Sequence, residues 1–388
     1  MSRLLYILPK REYFSRGGRG SVTHALGVIE GFNDNGQAMT VISGNGLKQH
    51  SAKFERVTML EVPTTLHNKE ISKYAWQNDL LKVVEQELKK GDVTTLMVRY
   101  AASSPMFLGS LARLARAHRS KSVVEVNSFA VHNEKKIPRQ LRNIALRFES
   151  SIVSKYDLVY VISKPLKDQL LKGGCKSKIL VVPNGASKNQ LLPIKNLKAI
   201  EPIRFVYLGV MQYYYDFETL IAGFKKFKES GIEASLHFYG DGVSEAPSKA
   251  LAKGIDDIFF HGRYQVEELA KIVNPESDIM VLPYGESGKD SIRSPIKLFE
   301  YMALGAPILA NAVGQIVDIV KADQTAVLYK DKNPESLANE MKRLALNPEL
   351  RVALAKNGQQ DFINKHTWKA RMKYLGEHFE SEGVAHGT

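Results

Sequence analysis

The chain has 388 residues, a length that favours two domains, and its content of 44% hydrophobic and 24% charged residues is typical of folded globular proteins. Its net charge of +13 is concentrated in residues 1–190, which hold 30 lysines and arginines against 15 aspartates and glutamates. No apolar run approaches the roughly 20 residues of a membrane-spanning helix, and the apolar part of the start is too short for a signal peptide. The single cysteine, Cys175, excludes an internal disulfide, so we expect a cytoplasmic protein.

The first half alternates apolar stretches of strand length with amphipathic stretches of helix length. Predicted strands cover residues 4–8, 38–43, 58–62, 95–98, 122–126, 158–162 and 179–182. Predicted helices cover residues 22–32, 71–90, 104–119 and 164–171. Such alternation is typical of a doubly wound parallel sheet with helices on both faces. The turn residues Pro183-Asn184-Gly185 end this series, and residues 186–202 are predicted to be a linker.

A second series of the same kind follows. Its predicted strands cover residues 203–208, 234–239, 258–261, 277–284, 306–312 and 326–329. Its predicted helices cover residues 218–229, 246–252, 266–273, 295–304, 334–345 and 348–362. We therefore predict an N-terminal Rossmann-like domain over residues 1–190 and a C-terminal one over residues 191–365. A last helix over 368–379, within residues 366–388, is expected to cross back to the first domain.

The segment from Ser294 to Pro307 reads as a complete short helix that carries charge. Ser294 suits the N-cap, Pro295 the first helical position and Gly305 a left-handed stop. Lys297 and Glu300 lie three residues apart and share a face. A loop that leaves a strand and enters a helix start offers free N–H groups and a positive dipole end to a phosphate. The alternative is an ordinary exposed ion pair.

The glycine-rich turn after the first strand does not carry a dinucleotide fingerprint. In the run Arg16 to Ser21 the third glycine position falls on Thr23, and the second strand ends at Ser43 with no acidic residue for a ribose hydroxyl. These departures count against a nicotinamide cofactor. The turn either receives a phosphate or has a structural role alone.

Taken in order, these motifs resemble the GT-B nucleotide-sugar glycosyltransferases, specifically the retaining class called glycosyltransferase family four. The set comprises two Rossmann-like halves, Pro183-Asn184-Gly185, Gly240-Asp241-Gly242 and the helix from Ser294 to Pro307. The resemblance implies two doubly wound domains facing a cleft, with the donor held mainly by the second domain and the acceptor by the first. It also implies metal-independent transfer without a cofactor, the nucleotide sugar being a co-substrate.

The resemblance also implies roles for individual residues. Glu300 corresponds to the helix glutamate that holds the donor ribose hydroxyls, and a carboxylate suits a diol because it accepts from both hydroxyls. Lys297 is expected to stabilise the leaving diphosphate as a catalytic group. The other donor-binding positions are the diphosphate contacts Ser294 and Ile296, the base-gripping loop residues Arg263 and Tyr264, and Gly18 in the glycine-rich turn.

The sequence departs from the family pattern at several positions. The carboxylate that usually precedes the helix glutamate falls on Ile292, which leaves Glu286 and Asp290 as possible sugar contacts or solvated loop charges. No arginine or lysine occurs in residues 208–215, so Lys297 and Arg293 are expected to supply the diphosphate's counter-charge, with Arg16 or Arg19 as further sources. The three tyrosines there either stack on a ligand or pack internally.

The first domain lacks the family's histidine in register. After the strand over residues 122–126, Glu125 is expected to be a catalytic group, and Asn127 and His132 are possible sugar contacts. No aspartates show metal-ligand spacing, so no metal is expected.

The expected activity is sugar transfer from a nucleotide sugar, with uridine diphosphate sugars as the first choice, to a glycan or lipid-linked glycan acceptor. The basic first domain suits peripheral attachment to an anionic inner membrane face. One alternative is a nucleotide-sugar epimerase of the same fold. A basic nucleic-acid-binding protein is a weaker one, because no recognition-helix or RNA-binding signature is present, and we expect no nucleic-acid partner.

Overall fold

The computed structural model describes residues 2–15, 20–63, 69–101, 104–129, 137–194, 198, 200–265, 268–285 and 292–380. Within them the chain divides into two compact units. Unit 1 combines residues 1–183 with the C-terminal residues from Trp368, and unit 2 covers residues 184–367. The helix that starts at Trp368 thus belongs to unit 1, and the first boundary falls at Pro183 rather than at residue 190. The predicted linker lies inside unit 2.

Unit 1 contains a parallel sheet with helices on both faces. Its seven described strands occur in the order β3-β2-β1-β4-β5-β6-β7. The strands are β1 (Arg3–Ile7), β2 (Ala38–Ser43), β3 (Val57–Glu61), β4 (Val93–Arg99), β5 (Lys121–Val126), β6 (Leu158–Val161) and β7 (Lys178–Val181). The helices are α1 (Gly20–Asp34), α2 (Lys69–Leu88), α3 (Pro105–Ala117), α4 (Arg142–Val153) and α5 (Lys164–Lys172).

Unit 2 repeats this architecture. Its six described strands are parallel and occur in the order β10-β9-β8-β11-β12-β13. They are β8 (Ile203–Leu208), β9 (Ala234–Tyr239), β10 (Ile258–Gly262), β11 (Asp278–Leu282), β12 (Ile308–Asn311) and β13 (Val327–Tyr329). The helices are α6 (Phe217–Lys228), α7 (Glu245–Leu251), α8 (Leu269–Ile272), α9 (Ile296–Leu304), α10 (Ile316–Ile319), α11 (Pro334–Ala345) and α12 (Pro348–Asp361). A final helix, α13 (Trp368–Glu380), returns to unit 1.

Both strand orders reverse direction next to their first strand, beside β1 in unit 1 and beside β8 in unit 2. In open α/β sheets ligands bind outside the carboxyl ends of the strands at such a switch point. The ends of β1, β4 and β5 therefore mark the candidate site of unit 1. The ends of β8, β9 and β11 mark that of unit 2. The predicted α/β fold class with two Rossmann-like sheets is confirmed.

Helix α13 is anchored in unit 1 by a large aromatic side chain. Trp368 is buried in the core that contains β1 and α1. Gly27 and Gly31 lie one turn apart on α1, and a Cβ at either position would collide with Trp368. The two glycines therefore leave a groove for the C-terminal helix. His24, on the same helix, packs edge-on against the indole with ring centroids 5.2 Å apart.

Candidate functional site

The first two turns of α9 carry the principal candidate residues of unit 2. Lys297 Nζ lies 2.8 Å from Glu300 Oε2, and the two side chains are 22% and 17% exposed. The prediction that they share a helix face is confirmed. Because both side chains are mostly withdrawn from solvent, the pair differs from the ordinary exposed ion pair that was the alternative interpretation.

Lys297 keeps its proton in this environment. Burial alone would lower the pKa of Lys297, but the Glu300 carboxylate, followed by the Tyr264 hydroxyl, outweighs burial and holds that pKa above its ordinary value. Lys297 Nζ also donates to the Tyr264 hydroxyl over 3.4 Å. Burial raises the pKa of Tyr264, although nearby Lys297 opposes that rise. The group is therefore a fixed cation flanked by one carboxylate and one neutral phenol.

Glycine residues at the ends of two strands leave space for the aliphatic part of the Lys297 side chain. Gly209 follows β8 with φ +153°, and a Cβ there would lie 2.5 Å from Lys297 Cε. Gly240, after β9, approaches so closely that its own Cβ would collide with the Gly209 carbonyl oxygen. The neighbouring strand ends therefore require glycine at both positions. The role of Gly240 in a turn was predictable from its neighbours Asp241 and Gly242, whereas the only signal for Gly209 was its place directly after an apolar strand.

The entry to α9 differs from the prediction. The N-cap position is Pro295, which makes no side-chain capping bond, and the helix begins at Ile296, which is half-buried. Ser294 is instead buried, and its Oγ accepts from the backbone N–H of Asn184 over 3.0 Å. The Asn184 side-chain amide donates to the Ser294 carbonyl over 2.6 Å. The predicted cap by Ser294 is therefore wrong, because a long-range partner occupies the hydroxyl. The predicted stop is confirmed, since Gly305 has φ +66°.

The predicted base-gripping loop follows β10. Tyr264 is half-buried beside Lys297, as described, while Arg263 is exposed and its Nε lies 2.5 Å from Asp241 Oδ2. Asp241 belongs to the glycine-flanked turn after β9. The structure thus brings Tyr264 into contact with the lysine and pairs Arg263 with the neighbouring loop.

Arg293 lies over an aromatic ring of the tyrosine loop, the segment Tyr213–Tyr215 that follows β8. Its guanidinium carbon is 4.7 Å from the centroid of Tyr214. Tyr215 and Tyr284 pack edge-on with centroids 5.6 Å apart, which joins the loop to the end of β11. In place of the basic residues of the family pattern, this loop contains tyrosines, and the guanidinium of Arg293, from another loop, lies over the ring of Tyr214.

In unit 1 the predicted catalytic residue Glu125 is completely buried, at 0% exposure. Its Oε2 accepts from the Tyr6 hydroxyl over 2.5 Å, and its Oε1 lies 2.8 Å from His24 Nε2. Asn127 Nδ2 donates to Oε1 over 2.7 Å, and Arg99 Nε lies 3.5 Å away. Both predicted residues, Glu125 and Asn127, thus belong to one polar cluster at the ends of β1, β4 and β5.

The cluster keeps Glu125 ionised. Burial alone would raise the pKa of the Glu125 carboxyl, but Arg99 and His24 outweigh burial and lower that pKa well below its ordinary value. Burial and the neighbouring carboxylate raise the pKa of Tyr6. The catalytic role of Glu125 stays a prediction, and the observed geometry is that of a positioning residue. Sequence reasoning missed Tyr6, His24 and Arg99, whose only signal was polarity within or beside apolar stretches.

The predicted site residues Gly18, His132, Glu286 and Asp290 lie outside the described residues, as do Arg16 and Arg19, the further sources of counter-charge. Among the residues described, no group of three or more histidines, cysteines, aspartates or glutamates is arranged to hold a metal ion. No helix in the described ranges is long and apolar enough to cross a membrane.

Two models of known glycosyltransferase families match the sequence of this chain. Residues 18–190 match the sequence model described as Glycosyltransferase Family 4, and residues 189–361 match that described as Glycosyl transferases group 1. By fold and by sequence the chain belongs to the class of GT-B glycosyltransferases. The match to the Glycosyltransferase Family 4 model confirms the resemblance that the sequence motifs indicated.

The similar proteins are distant. The chain is 24% identical over 236 residues to an uncharacterized glycosyltransferase of Methanocaldococcus jannaschii, a match that covers 58% of this chain and 62% of the relative. It is 23% identical over 190 residues to a putative colanic acid biosynthesis glycosyltransferase of Escherichia coli, covering 48% and 47% of the two chains. The matches thus span about half to three-fifths of these curated relatives.

Two solved structures match over almost their whole length. A glycosyltransferase from Rickettsia africae aligns with a TM-score of 0.70 at 16% identity, covering 98% of each chain. An Anabaena protein in complex with UDP and glucose aligns with a TM-score of 0.68 at 12% identity, covering 98% of this chain and all of that one. At such identities the likeness establishes the fold alone.

Proposed function

We propose that this chain is a retaining, metal-independent glycosyltransferase that moves a sugar from a uridine diphosphate sugar to a glycan or lipid-linked glycan acceptor. The observation that carries the proposal is Lys297, a mostly buried cation on the first turn of α9, held 2.8 Å from Glu300 and against the glycine end of β8. A structural neighbour that binds UDP and glucose supports the choice of donor.

The chemistry assigned to Lys297 is stabilisation of the leaving group. During transfer the bond between the sugar and its phosphate oxygen breaks, the acceptor oxygen bonds to the same carbon, and the hydroxyl proton passes to the departing diphosphate. Negative charge grows on the diphosphate as the first bond breaks. An oriented cation at that position lowers the barrier by about 3–4 kcal/mol, the magnitude measured when one such donor is removed.

Glu300 serves the other end of the nucleotide in this proposal. Its carboxylate accepts from the two ribose hydroxyls, while one of the three Lys297 N–H groups continues to contact it. The Tyr264 ring lies beside Lys297 and is the surface on which we place the base. Arg293, over Tyr214, is the second cation proposed for the diphosphate, in place of the basic residues that the family usually carries in the loop after β8.

Attachment to an anionic membrane surface is proposed from α4. Three apolar side chains leading into and along this helix are exposed, Leu141 at 50%, Ile144 at 65% and Phe148 at 57%. Their spacing places them on one face, opposite the buried residues that begin at Leu146. Exposed Arg147 lies beside them in a unit with a large basic excess. An apolar stripe with flanking cations is typical of helices that lie in a membrane interface.

The donor is tested with a thermal-shift screen of UDP, GDP and ADP sugars. A donor present at 100 times its Kd stabilises the protein by about 2.7 kcal/mol. We expect the largest shift with a UDP sugar and a smaller shift in Glu300→Gln, because the Glu300 carboxylate is assigned to binding the donor ribose. NMR of the product with an acceptor then reports the configuration of the new linkage, and inversion would contradict the retaining mechanism.

The same incubation without acceptor tests the alternative of a nucleotide-sugar epimerase. Slow hydrolysis of the donor supports the transferase, whereas clean conversion to an epimeric nucleotide sugar would replace it.

Membrane attachment is tested by sedimentation with vesicles of phosphatidylglycerol and phosphatidylcholine at low salt. We expect binding that weakens with added salt and falls at least tenfold in the double variant Ile144→Gln/Phe148→Gln. Leu171→Gln, which changes an equally exposed leucine on α5, is the matched control and should bind normally. No binding by the unaltered chain would refute this part of the proposal.

A further inference from the structure

Unit 2 contains a second recess that the donor site does not use. It is a cavity of about 360 Å³ at the starts of α6 and α7, within the size range of small-molecule sites. Neither Lys297 nor Glu300 lines it. Its walls include Tyr213, Tyr214, Phe217, Glu218, Leu251 and Lys332.

The cavity has an aromatic wall and a rigid floor. Tyr213 is 67% exposed, and its ring stands at 82° to that of Tyr214 with centroids 5.5 Å apart. Phe217 is buried below them and packs edge-on against Tyr207 at 4.9 Å. An exposed tyrosine offers an apolar ring face and a polar hydroxyl together. This combination matches a sugar, which has a face of C–H groups and an edge of hydroxyls.

The polar groups of the cavity favour an uncharged polyol over an anion. Glu218, in the first turn of α6, is exposed, and no hydrogen bond within the described ranges occupies its carboxylate. Asp216 Oδ1 accepts from Thr219 N over 2.9 Å and so caps the same helix. Lys332 is the single cation among the lining residues. Two carboxylates against one amine repel a phosphate, whereas a carboxylate binds a pair of sugar hydroxyls well.

Backbone hydrogen bonds hold the recess in shape. Gly285 N–H donates to the Tyr214 carbonyl over 2.8 Å, and Ser244 N–H donates to the Met211 carbonyl over 3.0 Å. These bonds join the loop after β8 to the β11 loop and to the start of α7. A preformed recess binds a ligand with less loss of conformational freedom than a loop that must order.

We propose that this cavity is a carbohydrate subsite that takes one or two neutral sugar units of the glycan acceptor or product. The identification of the sugar chain as acceptor or product rests on the proposed function. Tyr213 stacks on the sugar ring, and Glu218 accepts from two hydroxyls. The subsite and the donor site share the tyrosine loop, because the ring of Tyr214 that lines the cavity also lies under Arg293 at 4.7 Å.

The test is saturation-transfer NMR on the full chain with maltose, lactose and cellobiose as probes, in the presence of saturating UDP. We expect transfer to at least one disaccharide while UDP is bound. Tyr213→Ala and Glu218→Gln should each weaken that disaccharide at least tenfold and leave the Kd for UDP within twofold. Tyr213→Phe keeps the ring and is the matched control, with disaccharide binding within threefold of the unaltered chain.

Two results would overturn the subsite. One is the absence of transfer to all three disaccharides in a protein that binds UDP. The other is transfer that UDP abolishes or that Tyr213→Ala leaves intact, since the sugar would then occupy a different site. A protein that fails to bind UDP but still shows transfer lost in Tyr213→Ala would keep the subsite and contradict the proposed function.

Discussion

Replacing Glu125 by glutamine should destabilise unit 1 strongly, because the change removes a charge on which a buried cluster depends. Every contact of the carboxylate described above comes from a donor or a cation, namely Tyr6, His24, Arg99 and Asn127. An amide presents an N–H₂ group to at least one of these donors and no longer neutralises Arg99. Because the side chain is 0% exposed, contact with water does not replace the interactions that the substitution removes.

The expected loss follows from measured cases. Breaking a buried ion pair by removing one partner costs about 3–5 kcal/mol. We take about 3 kcal/mol, since Arg99 is 3.5 Å away and retains some contact with water. In a unit of roughly 200 residues, 1 kcal/mol moves the melting temperature by about 2–4 °C, so Glu125→Gln should lower that of unit 1 by about 6–12 °C.

Differential scanning calorimetry measures this shift. Tyr6→Phe removes one hydrogen bond to the same carboxylate and should cost less, about 1–2 kcal/mol. Glu85→Gln breaks an exposed i,i+4 pair with Lys89 and is the matched control, which should leave the melting temperature almost unchanged. A Glu125→Gln protein that melts like the unaltered chain but has lost turnover would refute this reasoning and make Glu125 a group that touches the reacting atoms.

Two further predictions concern unit 2. Gly209→Ala should weaken UDP binding at least tenfold, because the added Cβ would displace Lys297. Calorimetric titration measures this loss. Gly254 also has a positive φ but has open space around it, so Gly254→Ala is the control that should retain UDP binding. Burial, helped by Arg204 and His261, lowers the pKa of His237 to about 4. The unfolded chain therefore binds more protons than the folded one between about pH 6.5 and 4. The free energy of unfolding should fall by about 1–2 kcal/mol as the pH decreases through that window. Denaturant unfolding of His237→Phe should show a smaller fall, and an identical pH profile would contradict the assignment.

The alternation of apolar and amphipathic stretches predicted the two sheets well, because both are parallel and covered by helices. The strand predicted over residues 4–8 is observed as β1 (Arg3–Ile7), and that over 203–208 as β8 (Ile203–Leu208). Such short buried runs need apolar residues throughout, which makes them visible in a sequence. The end of α9 was visible for a related reason, since only glycine adopts the conformation of Gly305 without strain.

Contacts between residues far apart in the chain were not predictable. Ser294 has the composition of an N-cap, and nothing near it indicated that Asn184 would occupy its hydroxyl. Glu125 interrupts an apolar strand, a pattern that fits both an active-site acid and a buried anchor. Its burial depends on Tyr6, His24 and Arg99, which come from three other elements. Local pattern therefore located the polar residues but did not decide what they contact.

The most direct test of the account is steady-state kinetics of Lys297→Ala beside Glu300→Gln with the donor found by the thermal-shift screen. Removal of the Lys297 amine should lower kcat by about 10²–10³, the usual effect of losing one group that stabilises transition-state charge. Glu300→Gln should act mainly on KM for the donor, because its carboxylate is assigned to binding. Equal and small effects of both substitutions would contradict the claim that this pair on α9 binds and activates the donor.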